Sequence, residues 1–218
     1  MTNSVAIFVV DDDEAVLLSV KAMLSQHGYQ ARGFLSAQEF LSEAPVDAPG
    51  CVVTDLQMPG ITGVELQQRL LVANSLLSVV VVTGVADVPT AVSLMERGAV
   101  TLLEKPYDHT DLVRAVEKGL ALSREHYRQK QELSSVETCL ATLNDDERRV
   151  MECMLTGQPN KAIAHRLELS MRTVDRRRQA VLEKMGVRTA PELAMLLGRA
   201  QVTPAPAPPR LQHQDELA

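Results

Sequence analysis

Residues 5–28 read VAIFVVDDDEAVLLSVKAMLSQHG. The apolar run Val5–Val10 is followed at once by Asp11, Asp12 and Asp13. A helical pattern then covers Glu14–His27 and stops at Gly28, a residue suited to the left-handed turn that ends a helix. A short apolar run bounded by turn residues and rich in Val and Ile suits a strand buried on both faces. The same unit recurs through the first half of the chain. Apolar runs stand at Cys51–Thr54, Val79–Val82 and Val100–Leu103, with a weaker one near Tyr29–Phe34. Helical patterns separate them. One opens at Ser36, with Glu39 at capping-box spacing; others cover Gly63–Ala73 and Val88–Arg97, and the last starts at Thr110. Five strand–helix repeats with short connections predict a doubly wound α/β fold, a five-stranded parallel sheet with helices on both faces.

After Gly119 the pattern changes. Residues 121–143 are polar, free of Gly and Pro, and carry sparse apolar positions at Leu122, Leu133, Val136 and Leu140. They predict a helical linker continuing from the fifth helix. From Asn144 to Ala200 every periodic segment is helical, over about 145–156, 160–167, 171–185 and 190–200. Asn144 with Glu147, and Thr189 with Glu192, have capping-box spacing. This predicts an all-α four-helix domain. Residues 201–218 contain PAPAPP and no apolar period, which predicts disorder. The division is therefore 1–120, 121–143, 144–200 and 201–218.

Composition narrows the function classes. The 218 residues are 45% hydrophobic and 23% charged, which excludes a wholly disordered or collagenous chain. With three Tyr, three Phe and no Trp, the cores must be mainly aliphatic. The longest uncharged stretch, Leu70–Ala86, holds Asn, Ser and Thr, so no membrane partner is expected. The acids after Val10 interrupt any signal-like segment. Cys51, Cys139 and Cys153 are odd in number and form no CxxC pair; reduced thiols in a cytoplasm suit them. The net charge of −6 divides unevenly. Residues 1–119 hold 7 basic and 15 acidic groups, giving −8, whereas residues 144–200 hold 11 and 8, giving +3.

In a parallel α/β sheet, ligands sit at the carboxyl ends of the strands. Asp11, Asp12 and Asp13 follow the first strand, Asp55 ends the third, Thr83 the fourth, and Lys105 follows the fifth. Crowded carboxylates need a cation or raised pKa values. Hard oxygen ligands with room for water suit Mg²⁺. A carboxylate, Mg²⁺, a hydroxyl and a lysine together describe a phosphoryl acceptor site. Taken singly, the aspartates also suit an acidic helix N-terminus, and Asp55 a turn.

The stretches FVVDDD (8–13), VVTDLQMPGITG (52–63), VVVVTGVADVPTAV (79–92) and LLEKPY (102–107) resemble the receiver domain of two-component response regulators, over roughly residues 3–120. The resemblance implies a flavodoxin-like receiver with Asp55 as phospho-acceptor and Thr83 and Lys105 on the phosphoryl oxygens. It gives Mg²⁺ to Asp11, Asp12, Asp55 and the backbone carbonyl of Gln57, leaves Asp13 to open the next helix, and places a cis bond before Pro106. Leu102 stands where many receivers carry Tyr or Phe, and Tyr107 follows Pro106.

In the second half, SMRTVDRRRQAVLEKM (170–185) places Val174, Val181, Leu182 and Met185 on one face and Arg172, Asp175, Arg176 and Gln179 mostly on the other. Such a helix docks on a small core and offers Arg to phosphates and guanine edges. A solvated charged face is the plainer alternative. With NKAIAHRL (160–167) before it, the segment resembles the LuxR/NarL-type helix-turn-helix, and its RRR run is nearest the FixJ-like branch. The resemblance implies that Asp175, Arg176 and Gln179 read bases. Arg172, Arg177, Arg178 and Lys184 contact phosphate or scaffold, Lys161 the DNA backbone, and Thr173 is a further DNA-binding residue.

Together these motifs imply a cytoplasmic, phosphorylation-regulated transcriptional regulator. It would take a phosphoryl group on Asp55 from a sensor histidine kinase, form a homodimer and bind double-stranded promoter DNA, with RNA polymerase a candidate partner. It would not be an enzyme beyond its own phosphorylation and dephosphorylation. Two rivals stand: a DNA-binding regulator whose receiver acts only as a dimer module, and an Mg²⁺-dependent phosphatase of the haloacid-dehalogenase type. The latter lacks its cap insertion and downstream metal acids here.

Overall fold

The computed structural model describes residues 6–84, 87–200 and 202. The chain forms two compact units, Met1–Arg128 and Gln129–Ala218. In the first, five parallel strands pair in the order β2-β1-β3-β4-β5: β1 (Ala6–Val10), β2 (Ala31–Phe34), β3 (Gly50–Asp55), β4 (Leu77–Thr83) and β5 (Thr101–Glu104). Between them lie α1 (Glu14–Gln26), α2 (Ala37–Glu43), α3 (Gly63–Val72) and α4 (Val88–Glu96), and α5 (His109–Ala141) follows. This is the doubly wound sheet that the alternation predicts.

The continuous Val and Ile runs exist because both sheet faces are covered. Side chains alternate along each strand. Phe8, Val10, Val52, Val79 and Val81 pack with Phe40, Leu66, Leu70 and Leu94 of α2, α3 and α4. Ile7, Val9, Val53, Val80 and Val82 pack with Leu17, Leu24, Leu112 and Val116 of α1 and α5. Phe8, Phe34 and Phe40 meet with ring centroids 5.4–6.1 Å apart, so all the Phe of the chain lie in one cluster.

The second unit packs α6 (Asp145–Leu155), α7 (Asn160–Leu167), α8 (Met171–Lys184) and α9 (Ala190–Arg199) around Val150, Met151, Ile163, Val174, Val181 and Leu193. The turn from α7 to α8 places Glu168 at φ 54°, and the Leu169 N–H donates to the Ala164 carbonyl. The polar stretch 121–143 is helical, and α5 contributes to both cores. Ser123 is buried in the first unit, while Leu133, Val136 and Leu140 belong to the core of the second.

Cap details differ from expectation in two places. Asn144 and Glu147 form a complete capping box, and so do Thr62 and Glu65, a pair the sequence reading passed over. At Ser36/Glu39 and Thr189/Glu192 only the forward bond matches. There the glutamate accepts from the preceding residue, Leu35 or Arg188; the cap φ is −154° at Ser36 and −138° at Thr189, against −73° at Thr62 and −77° at Asn144. No helix among the described residues is long and apolar enough to cross a membrane. Cys51, Cys139 and Cys153 are free, and burial pushes the Cys51 thiol up to about 12. The tail expected to be disordered lies outside the described residues except Val202, which packs on the second core.

Candidate functional site

The strand order reverses between β1 and β3, and the crevice beyond their carboxyl ends is where such a sheet holds a ligand. Asp11 leaves β1 there and Asp55 closes β3; both are buried, at 5% and 8% exposure. Lys105, just past β5, donates from Nζ to Asp55 Oδ1 at 2.8 Å and to Asp11 Oδ2 at 3.2 Å. The other oxygen of each carboxylate takes a backbone amide. Gln57 N donates to Asp55 Oδ2 at 2.7 Å, and Asp13 N to Asp11 Oδ1 at 3.0 Å. Gly63 makes room for this loop, since a Cβ there would lie 2.3 Å from the Asp55 carbonyl oxygen. Thr83 ends β4, buried, and its carbonyl accepts from Lys105 N at 2.7 Å. The Lys105–Pro106 bond is cis, as the motif implies.

The electrostatics follow from burial. Desolvation raises the Asp11 pKa, aided by the Asp55 charge, and outweighs the opposing hydrogen bonds from Asp13 and Lys105. Burial alone would lower Lys105, but its bonds to Asp55 and Asp11 and their charges prevail, and its pKa is raised. The lysine therefore stays an ammonium and cannot be a metal ligand.

A different surface stands in the second unit. Arg172, Asp175, Arg176 and Gln179 are exposed along one side of α8, while Val174 and Val181 are buried on the other. Ser170 caps the helix by accepting from Thr173 N at 3.2 Å. Lys161 is exposed near the start of α7.

Comparison with known proteins covers both units. Residues 7–117 match the response regulator receiver domain family, and residues 141–197 the bacterial regulatory proteins of the luxR family. The chain is 41% identical over 206 residues to the transcriptional regulatory protein FixJ of Azorhizobium caulinodans, covering 94% of this chain and 97% of FixJ. Against FixJ of Bradyrhizobium diazoefficiens it is 36% identical over 200 residues, covering 92% and 98%. Among solved structures it is similar to the response regulator StyR, with TM-score 0.82 and 31% identity over 90% of this chain and 99% of that one. Full-length FixJ from B. japonicum gives 0.56 and 35%, over 92% and 98%.

The chain belongs to the FixJ-like two-component response regulators. In this response regulator the three consecutive aspartates take different places, Asp13 at the helix start as the resemblance implies. Asp12 is exposed, and Asp13 caps α1, accepting from Ala15 N at 2.8 Å. Among the described residues no three acidic, His or Cys side chains gather as a metal cage. Two carboxylates converge, Asp11 and Asp55, and the cation between them is Lys105. Mg²⁺ commonly takes one or two carboxylates and keeps several waters, so paired buried carboxylates beside solvent fit it. Leu102 packs on the α2–α4 side of the receiver sheet and Tyr107 on the α1–α5 side, so Tyr107 does not replace the missing aromatic.

In the helix-turn-helix the structure separates cations that look alike in sequence. Arg172 and Arg176 are exposed and, with Gln179, find no partner among the described residues. Arg177 is ion-paired with Asp146 of α6, with only 19% of its side chain exposed. Lys184 donates to Glu147 Oε2 at 2.6 Å and to the Thr142 carbonyl at 3.0 Å. Both thus hold α8 on its scaffold, one of the two roles, phosphate or scaffold, that the resemblance implies for them. Thr173 is half-buried, its hydroxyl bonded to Ser170. Asp146, Glu147 and Asn160, which hydrogen-bonds Asp175, were missed as partners. In the sequence Glu147 signals only a helix cap.

Proposed function

We propose that this chain is a cytoplasmic regulator that accepts a phosphoryl group on Asp55 from a sensor histidine kinase, dimerises and binds promoter DNA. The observation that carries it is the convergence of Asp55, Asp11 and Lys105 in a buried crevice, in the same chain as a helix with an exposed arginine face. The receiver would span residues 1–120, the linker 121–143 and the DNA-binding domain 144–200.

Asp55 has one oxygen on Lys105 and one on the Gln57 amide, so the carboxylate is held in place for attack. One of its oxygens attacks phosphorus in line; the new P–O bond forms as the P–N bond to the kinase histidine breaks, and the imidazole leaves. Asp11, Asp12, Asp55 and the Gln57 carbonyl would hold Mg²⁺, whose chemistry is to neutralise phosphoryl charge. Lys105 meets the new negative charge and the Thr83 hydroxyl contacts a phosphoryl oxygen. Val88, Val92 and Met95, exposed at helical spacing along α4, supply an apolar stripe for the dimer. Two copies then present two α8 helices to successive major grooves. Acetyl phosphate with Mg²⁺ labels the wild type, and Asp55→Asn abolishes the label; a labelled variant would overturn the assignment.

A further inference from the structure

Asp175 is out of place on its surface. A helix face meant for a polyanion carries Arg172 and Arg176, and a carboxylate stands between them, exposed. Phosphates repel it, so its presence lowers general affinity. It is also not loose. Asn160 Nδ2 of α7 donates to Asp175 Oδ1 at 2.6 Å across the helix-turn-helix. Asn160 is half-buried at the first position of α7. Pro159 occupies the cap, and α7 has no side-chain cap bond. An asparagine near a helix start commonly caps it; this one is spent on a neighbouring helix instead. The bond fixes one oxygen of the carboxylate, and no partner among the described residues takes Oδ2.

We infer that Asn160 is a positioning residue for sequence specificity: it aims Asp175 so that the free oxygen accepts from a cytosine amino group in the major groove. This rests on the DNA-binding reading above and deepens it. A carboxylate is the side chain suited to the cytosine N4 donor. Guanine presents acceptors and thymine an acceptor and a methyl group, where its charge only repels, and adenine sets its amino donor beside the N7 acceptor, so cytosine is the base it meets best. Asp175 therefore discriminates against wrong sequences, and Asn160 makes that discrimination sharp by removing the rotamer freedom that would let the carboxylate swing aside.

The two residues leave different signatures. Asp175→Asn removes a negative charge, so affinity for non-specific DNA rises roughly two- to five-fold while cytosine preference is lost. Asn160→Ala leaves the charge in place. Non-specific affinity and thermal stability hold near wild type, while preference at the same base pair falls by roughly 5- to 100-fold. The double variant matches Asp175→Asn, with no further loss.

The experiment is selection from random duplex DNA by the full chain with acetyl phosphate and Mg²⁺, for wild type and the three variants. Non-specific affinity and melting are measured alongside. One C·G pair in the wild-type motif that relaxes in all three variants supports the inference. An Asn160→Ala motif identical to wild type overturns it while leaving the DNA-binding reading intact. Loss of non-specific affinity or of stability in Asn160→Ala, with the preference unchanged, assigns Asn160 a purely structural role. Recovery of no motif by the wild type overturns both readings.

Discussion

At the scale of single residues, the acidic crevice of the receiver is a place where burial costs stability. Asp11 is buried and its pKa is raised by desolvation, so its charged form is costly in the fold. The linkage has a definite sign. Below the ordinary value of 3.8 the group is protonated folded or unfolded and costs nothing. As pH rises through the higher folded value the penalty builds, and at neutral pH it is fully present. Asp11→Asn keeps the oxygen that accepts from Asp13 and removes the charge. We expect its melting temperature at pH 7 to exceed wild type by on the order of a few degrees. The gain should shrink to nothing as pH is lowered below 3.8, as calorimetry across pH would record. The DDD run announces carboxylates at a strand end and the resemblance leaves Asp13 to open α1, but only the fold distinguishes the buried Asp11 from the exposed Asp12.

At the scale of elements, helices are held by polar contacts that cross long sequence distances. Gly50 N donates to Ser123 Oγ at 2.8 Å, and that hydroxyl donates to the Leu76 carbonyl, pinning α5 to the starts of β3 and β4. Ser123→Ala leaves a buried donor and a buried acceptor unmet. It should destabilise the receiver by about 2–3 kcal/mol in urea titrations. In the second unit α8 is clasped to α6 through Lys184–Glu147 and Arg177–Asp146. For Glu147, burial opposes ionisation, but Lys184, the Asn144 amide and Arg177 outweigh it, and its pKa is lowered. Its contribution is therefore complete above the ordinary 4.5 and lost as pH falls through the folded value. Glu147→Gln should cost about 1 kcal/mol at pH 7 and nothing at pH values where wild-type Glu147 is protonated. Helix positions, faces and most caps were legible in the sequence, because period and capping are local. The clasps were not. The sequence leaves Arg177 between phosphate and scaffold, and only the approach of α6 supplies its acid, Asp146. Asn160 likewise reads as a helix start until α8 brings Asp175 beside it.

At the scale of the whole molecule, the charge of −6 joins an acidic receiver half to a basic DNA-binding half, so total charge says little about nucleic acid. What matters is which cations are free to displace counterions. Each copy offers Lys161, Arg172 and Arg176 as exposed cations, whereas Lys184 and Arg177 are occupied within the fold. Each phosphate neutralised contributes about −0.9 to the slope of log affinity against log salt. A dimer using Lys161 and Arg172 of each copy on phosphates, with Arg176 on a base, should therefore show a slope of roughly −4. Lys161→Ala, changed in both copies, should flatten it by about two and weaken binding alike on all sequences. Lys184→Ala should leave the slope untouched and lower the melting temperature instead, since its ammonium serves Glu147 and the Thr142 carbonyl. Fluorescence anisotropy over a salt series, paired with thermal melts, separates the two outcomes. A flattened slope for Lys184→Ala would mean that DNA pulls this lysine from its scaffold, and that the basic half commits more of its charge to the duplex than the free fold displays.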